Sequence, residues 1–431
     1  MRIQLFNPPI FYYSGFHYRM LPTLSLPIIT ATINNSGRGH YCEAVDLEAL
    51  GITPQELGER FRGQKASWPD VIGLTSLTIT ARGCAESITA LRDAGFTGKI
   101  VVGGVHVTIN PQVGLDWGAD LVVTGECEGN IVELLENNAV GIHAGKPMDI
   151  KDLPGPDWTH HNPQPNTYVG NMSILRTNPA ITMWTRGCPY QCVFCGDAIF
   201  NKTPTKYRPP ENIEAEMLDL KKRGCENIFV YDDELIGTKM PAGWMKDIAD
   251  RISWMGFKWV TQGRCSQKYV TREVLEEAKR AGCRAIFWGV ESFSQSVLDA
   301  MKKHITEADI WHTLRLTKEA GIENGIFTMI ANYKETEADL AYTCEQIKKA
   351  YDEDLLDYRQ TTVCTAMPGT ELYKIQVADG TYIEAPTRGA MMQQIYAQTP
   401  YLTEAQIAYW YQKFYETGPL GTMGEPRPKK Q

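Results

Sequence analysis

The sequence predicts an α/β protein in two successive blocks: a Rossmann-like parallel sheet, then a partial (β/α)6 TIM-type barrel with a small helical C-terminal region behind it. Three observations lead there. At 431 residues the chain is too long for one compact core. Short β-rich runs alternate with helical patterns twice over. Between the two series, at residues 141–178, periodicity fades and Pro, Gly, Asn and His accumulate, as in Asp152-Leu153-Pro154-Gly155-Pro156. The expected divisions are a first domain at 1–140, a linker at 141–178, a core at 179–375 and a C-terminal region at 376–431.

In the first block Arg2–Phe6, Tyr41–Leu47, Val71–Thr75, Lys99–Val102 and Asp120–Thr124 read as strands. Leu26–Asn34, Ala85–Asp93 and Asn130–Asn137 read as helices between them. Strands of nearly continuous Val, Ile and Leu imply a parallel sheet covered on both faces. In such sheets ligands sit beyond the carboxyl ends of the strands. Those ends carry Asn7-Pro8-Pro9, Ser76-Leu77-Thr78, Gly103-Gly104-Val105-His106 and Gly125-Glu126-Cys127-Glu128-Gly129. Each glycine alone reads as a turn residue; several small or polar loops along one edge read as a binding site.

The second block offers six strands: Ala180–Thr185, Asn227–Tyr231, Trp259–Gly263, Ala285–Val290, Gly325–Ile330 and Arg359–Cys364. Helical faces intervene, such as Ile213, Met217 and Leu220, then Ile310, Leu314 and Thr317. Six βα units make most of a barrel, whose reactive groups belong at the carboxyl ends of the strands. Thr403–Tyr415 reads as a last, aromatic-rich helix. Tyr12-Tyr13 and Tyr409-Trp410-Tyr411 read as core or lid.

Composition narrows the function. Apolar residues make up 43% and charged residues 22%, ordinary for a soluble globular protein. A net charge of −8 argues against a polyanion-binding face, so no nucleic-acid partner is expected. The start, Met1-Arg2-Ile3-Gln4-Leu5-Phe6, reads as a strand and not as a signal peptide. No run approaches the roughly 18 apolar residues of a membrane span, so no membrane association and a cytoplasmic location are expected. The cysteines number eleven, an odd count, and three of them cluster. That pattern points away from a secreted disulfide framework and towards metal binding or redox chemistry.

The cluster is Cys188-Pro-Tyr-Gln-Cys192-Val-Phe-Cys195, in a loop after the first strand of the second block. Zinc is the main alternative to an iron–sulfur cluster, but structural zinc takes four closed ligands, usually as two pairs. The nearest further candidates in sequence are His160, His161 and Cys225. Three thiolates with an open fourth position suit a [4Fe–4S] cluster that holds a substrate on its unique iron.

Thr185-Arg186-Gly187-Cys188 through Cys195, with Phe194 before the last cysteine, resembles the C-x3-C-x2-C signature of the radical S-adenosylmethionine (SAM) superfamily. Phe229-Val-Tyr-Asp232-Asp233-Glu234 looks like that family's acidic second-strand end. Trp288-Gly289-Val290-Glu291-Ser292, continued by Ser296 to Lys302, looks like its fourth, and Met367-Pro-Gly-Thr370 like the segment after the sixth. One departure is Ala331-Asn-Tyr-Lys-Glu335-Thr336, where relatives often read Gly-x-Pro-Gly-Glu-Thr. The first block resembles the cobalamin-binding domain that precedes the barrel in the branch related to class B methylases. The matching features are Asn-Pro-Pro, Pro69-Asp-Val-Ile-Gly73, Gly103-Gly104-x-His106, Gly125-Glu126-x-Glu128 and the linker's Asp152-Leu153-Pro154.

The resemblance implies three cofactors: a [4Fe–4S] cluster on Cys188, Cys192 and Cys195, SAM, and cobalamin. For SAM it offers Asp232, Asp233 and Glu234 to the amino group or ribose, Glu291 and Ser292 to the ribose hydroxyls, and Arg264 to the carboxylate or a substrate anion, unless Arg264 merely pairs with Asp232. For cobalamin it offers Asn7, Ser76, Thr78, Gly103, Gly104, His106, Gly125, Glu126 and Glu128. There is no Asp-x-His-x-x-Gly sequence, so cobalt should lack a histidine ligand. The implied reaction is methylation of an unactivated carbon by a 5′-deoxyadenosyl radical and methylcobalamin, fed by an electron donor such as flavodoxin or ferredoxin. A cyclase or rearrangement enzyme with the same parts, or a non-catalytic metal-binding sensor, are the alternatives. The substrate, a small molecule or a peptide or protein, is not named by the sequence.

Overall fold

The computed structural model describes residues 1–10, 21–170, 172–200, 203–382 and 399–417, so Tyr12, Tyr13 and the tail at 424–431 lie outside the described residues. These residues divide into two compact units, 1–169 and 170–417.

The first unit is built on seven strands: β1 (Arg2–Asn7), β2 (Tyr41–Asp46), β3 (Val71–Thr75), β4 (Lys99–Gly103), β5 (Leu121–Thr124), β6 (Gly141–Ala144) and β7 (His161–Asn162). All pairings are parallel, in the order β6-β5-β4-β3-β1-β2-β7. The winding reverses between β1 and β3, the kind of switch point at which open α/β sheets bind ligands. Successive residues alternate faces. Ile72, Leu74, Ile100, Val102 and Val122 join Ile88 and Leu91 in one apolar cluster, while Ile3, Leu5, Val71, Val101 and Leu121 join Leu26 and Ile33 in another.

The stretch expected as a linker at 141–178 is in part sheet. Gly141–Ala144 pairs with β5 and His161–Asn162 with β2. Strands of four and two residues are too short to show a period, so their membership depends on neighbours far away in sequence. A helix at Pro54–Gly63 also escaped the periodicity reading, because only Leu57 and Phe61 mark its apolar stripe among charged residues and two glycines. Its signal was the capping box of Thr53 and Glu56 with Pro54 in the first turn.

The second unit carries β8 (Pro179–Thr182), β9 (Thr185–Arg186), β10 (Lys206–Tyr207), β11 (Asn227–Val230), β12 (Lys258–Gly263), β13 (Cys283–Glu291), β14 (Glu323–Ile330) and β15 (Tyr358–Val363). Six of them form a parallel sheet in chain order, β8-β11-β12-β13-β14-β15, with the first and last not joined: an open, partial barrel. Ala180, Ile228, Ile286 and Ile326, on the helix-covered side, are fully buried. Gln262, Phe327, Met329, Gln360 and Thr362 alternate with buried neighbours and are partly exposed.

The expected strand Ala180–Thr185 stops at Thr182. Thr185–Arg186 instead pair antiparallel with β10. The break has a cause: the Trp184 and Thr185 amides donate to the Asp232 carboxylate (2.8 and 2.9 Å). The C-terminal helix Glu404–Glu416 buries Ile407 and Phe414, whereas Tyr409 is exposed and Trp410 and Tyr411 are half-buried, so that aromatic run is not core. The Arg359 guanidinium, buried beside this helix's carboxyl end, donates to the Phe414 carbonyl and, at 3.2 Å, to that of Thr417. No helix among the described residues is long and apolar enough to cross a membrane.

Candidate functional site

Cys188, Cys192 and Cys195 lie on one irregular loop at the carboxyl edge of the second sheet. The loop is tied down between them: the Val193 amide donates to the Met301 carbonyl (3.1 Å) and the Leu372 amide to the Val193 carbonyl (2.8 Å). The Val193 side chain packs with Cys364, Ala366 and Leu372. Burial and then the charge of Glu234 push the Cys188 thiol up to about 12. Burial and then Asp197 do the same to Cys195. Such surroundings penalise a free thiolate and favour one whose charge is delivered to a metal. Among the described residues no three His, Cys, Asp or Glu side chains are gathered into a finished metal site. The donor set, three thiols on one pinned loop, is what fits a cluster here, and binding supplies the final geometry.

The acidic strand end divides its labour. Asp232 is buried and accepts three hydrogen bonds, from the Trp184 and Thr185 amides and from Thr185 Oγ1 (2.8 Å). Burial pushes its carboxyl up to about 8 against the pull of those donors. Asp232 therefore fixes the entrance to the cysteine loop, and its lone pairs are committed to the backbone. Asp233 Oδ2 accepts from the Gly187 amide (2.7 Å), one residue before Cys188. Glu234 differs: its Oε1 is buried and finds no hydrogen-bond partner among the described residues. Burial raises Glu234 to about 7, opposed by Arg264 and Lys303.

Arg264 follows β12 and does not pair with Asp232. Its guanidinium lies 3.7 Å from the Tyr190 ring centroid, and its Nη1 is 3.8 Å from Cys192 Sγ. Its Nη2 is buried without a partner among the described residues. Glu234 Oε1 and Arg264 Nη2, buried and unpartnered among the described residues, leave one acceptor and one donor open to a ligand, and they match the amino and carboxylate ends of SAM.

The fourth-strand pair behaves otherwise. Glu291 is ion-paired to Lys303 at 2.9 Å. Ser292 is fully buried, with Oγ bonded to Thr343 Oγ1 (3.0 Å) and accepting from the Ser294 amide (3.1 Å). It anchors the helix Glu337–Asp352, and a ribose hydroxyl would have to displace those bonds. In the divergent segment Glu335 is fully buried, pushed up to about 8 by burial, with the Asn332 amide and Nδ2 as donors (3.1 and 3.2 Å). Cys225, Cys265, Cys283 and Cys364 are buried, as small apolar residues are. The residue missed in sequence was Lys303, one place beyond the stretch that carried the resemblance.

In the first unit the nominated residues share the carboxyl edge. Asn7 ends β1 and donates through Nδ2 to Asp46 Oδ1 (2.9 Å), while the other Asp46 oxygen accepts from Tyr168 (2.8 Å). Ser76 follows β3; its Oγ, like Asn7 Oδ1, is buried and unpartnered among the described residues. Gly103 ends β4, and Gly104 sits at φ +102° with room for no side chain, since a Cβ there would lie 2.6 Å from the Ser76 carbonyl oxygen. His106 stacks on Trp117 (5.7 Å, 8°) and its Nδ1 lies 3.3 Å from Thr78 Oγ1; burial lowers its pKa. The Gly125 amide donates to Thr108 Oγ1 (2.9 Å) after β5, with Glu126 and buried Glu128 next in the loop. A backbone shelf with two orphaned polar atoms fits a large, amide-rimmed ligand such as cobalamin.

The family model for the radical SAM superfamily matches residues 182–347, and that for the B12-binding domain matches residues 21–135. The chain carries a radical SAM domain behind a B12-binding domain. Its cofactors are those of the two domains: a [4Fe–4S] cluster, SAM and cobalamin. An uncharacterised methyltransferase of Pyrococcus horikoshii is 24% identical over 419 residues, covering 91% of this chain and 87% of that one. An anaerobic magnesium-protoporphyrin IX monomethyl ester cyclase of Cereibacter sphaeroides is 24% identical over 360 residues, covering 77% of this chain and 56% of that one. Among solved structures the radical SAM methyltransferase TsrM of Kitasatospora setae, with cobalamin and a [4Fe–4S] cluster bound, shares the fold with a TM-score of 0.71. It is 17% identical, over 89% of this chain and 79% of that one.

Proposed function

We propose that this protein is a cobalamin-dependent radical SAM methyltransferase that methylates an unactivated carbon of a small-molecule or peptide substrate. The observation that carries the reading is the joint presence, in one chain, of a three-cysteine loop with the unpartnered Arg264 Nη2 and Glu234 Oε1 and of a B12-binding domain. When bound, the cluster supplies the electron that cleaves SAM, and cobalamin supplies the methyl carrier. The chain's own residues bind and orient. With SAM bound, Arg264 would take its carboxylate and Glu234 its amino group, while Asp232 and Asp233 hold the loop that bears the three thiols. A one-electron donor such as flavodoxin or ferredoxin serves the site.

A second reading, cyclisation or rearrangement without methyl transfer, is favoured by the relationship to the cyclase across 77% of this chain. Product counting separates the two. Reduced, cobalamin-loaded enzyme turning over its substrate should release one S-adenosylhomocysteine and one 5′-deoxyadenosine per product. 5′-Deoxyadenosine without S-adenosylhomocysteine would select the second reading. Neither product would leave a non-catalytic metal-binding role. Deuterated-methyl SAM incubated with host extract would reveal the substrate as a labelled product.

A further inference from the structure

Beside the cysteine loop lies an ion pair that the roles of Arg264, Glu234, Asp232 and Asp233 do not use. Lys303 Nζ is 2.9 Å from Glu291 Oε1, and both residues are buried. Three non-glycine residues in the left-handed region build it: Glu291 itself (φ +63°), and Lys302 (φ +52°) and His304 (φ +53°) on either side of Lys303. Side-chain-bearing residues rarely adopt that region, and they hold it where surrounding structure imposes it, most often at functional sites. Gly289 leaves the space: a Cβ there would lie 2.9 Å from Lys303 Nζ and 3.1 Å from Glu291 Oε1.

The pair is directed at the cysteine loop. The Lys303 ammonium sits 5.9 Å from the centroid of the Phe194 ring, between Cys192 and Cys195 in sequence. Cys192 is among the groups whose charge Lys303 feels, and Glu234 feels Lys303 in turn. The same segment's Met301 carbonyl holds the Val193 amide, so the lysine and the loop are fixed to each other. Arg264 approaches Cys192 from another strand end. Two buried cations therefore bear on one thiol.

We infer that Lys303, held by Glu291, is a positioning residue that acts through Cys192 to set the reduction potential of the cluster. The inference rests on the reading of Cys188, Cys192 and Cys195 as cluster ligands. Reduction adds one electron from an external one-electron donor, with no bond made or broken. A fixed positive charge in a site poor in water favours the added negative charge. Glu291 fixes the place of the ammonium at 2.9 Å, and the Lys303 charge is coupled to that of Cys192.

The test is a dithionite titration with redox mediators, followed by electron paramagnetic resonance, on the anaerobically reconstituted full chain without SAM. Iron content and thermal midpoint are recorded for every protein. K303M should lower the midpoint potential, reducing the equilibrium constant for reduction about tenfold, which is 59 mV for a one-electron couple. E291Q should shift it the opposite way by a smaller amount, and K303R should stay close to wild type. Opposite signs for the two partners of one ion pair are not what loss of packing produces. Should K303M fail to load iron, E291Q decides: a raised potential supports the inference. An unchanged or lowered potential in iron-loaded E291Q overturns it, as does iron-loaded K303M at the wild-type potential. Wild-type protein that takes up no iron would instead defeat the cluster reading itself.

Discussion

At the carboxyl edge of the first sheet the left-handed positions after β4 and β5 belong to glycines, Gly104 and Gly125. At the matching edge of the second sheet the left-handed positions at the end of β13 and just after β14 belong to Glu291 and Ala331, joined by Lys302 and His304. Glycine there costs little conformational strain and leaves the backbone bare, which suits a shelf for a large ligand contacted through amides. A side chain in the same region costs roughly 1 kcal/mol or more, and here it aims carboxylates and a lysine into one small volume. The first edge makes room. The second edge fixes charge, and its ionisable groups, Asp232, Glu234, Arg264, Glu291 and Lys303, are each under one-tenth exposed.

The largest expected effect tests whether the second edge is a cluster site at all. Replacing Cys188, Cys192 and Cys195 together by Ala should take anaerobically reconstituted protein from about four irons per chain to almost none, with 5′-deoxyadenosine formation abolished. Iron analysis and product chromatography read both, and stoichiometric zinc in the wild type would break the contrast. The first edge should keep its cobalamin in that variant.

Next comes the carboxylate that holds the loop. Asp232→Ala would strand two buried amides and a hydroxyl, at a cost of about 3 kcal/mol in urea unfolding. Asp232→Asn, which can still accept, should cost less. If Asp232→Ala keeps wild-type stability but loses SAM binding, Asp232 is a ligand group and not the anchor described above.

On the first edge the corresponding change is Gly104→Ala. Its Cβ would meet the Ser76 backbone at 2.6 and 2.7 Å, so cobalamin retention should fall about tenfold (roughly 1.4 kcal/mol) while iron content is unchanged. Retained cob(II)alamin in the wild type should show no nitrogen splitting in its electron paramagnetic resonance spectrum. A nitrogen pattern lost in His106→Ala would make that histidine a cobalt ligand.

Last comes the pH response of Glu335, whose carboxyl burial raises to about 8. The folded protein then holds a proton that the unfolded chain releases near its usual pKa of about 4.3. Stability should therefore fall as pH rises from about 4 to 8, by roughly 1.4 kcal/mol per unit at most. Glu335→Gln should flatten that slope in urea unfolding at pH 5 and 7.5. A slope of the same size in the variant would assign it to other groups, Asp232 and Glu234 first.

Local pattern alone determined the two α/β blocks, most strand cores and the cysteine triplet. Hydrophobic period and close spacing are properties of neighbouring residues, so they survive without the fold. It also put the nominated residues at strand ends, which the parallel pairing then collected on two edges. Which of them touch was decided only in three dimensions. Asp232 turns to backbone 48 residues away, and Ser292 to Thr343, 51 residues on, because sheet register and helix packing bring those partners within reach. β6 and β7 exist only because β5 and β2 offer open edges. Lys303 is just 12 residues from Glu291, yet the turn that joins them depends on left-handed residues that are not glycine. No residue type announces that conformation, and only the packing around the cysteine loop imposes it.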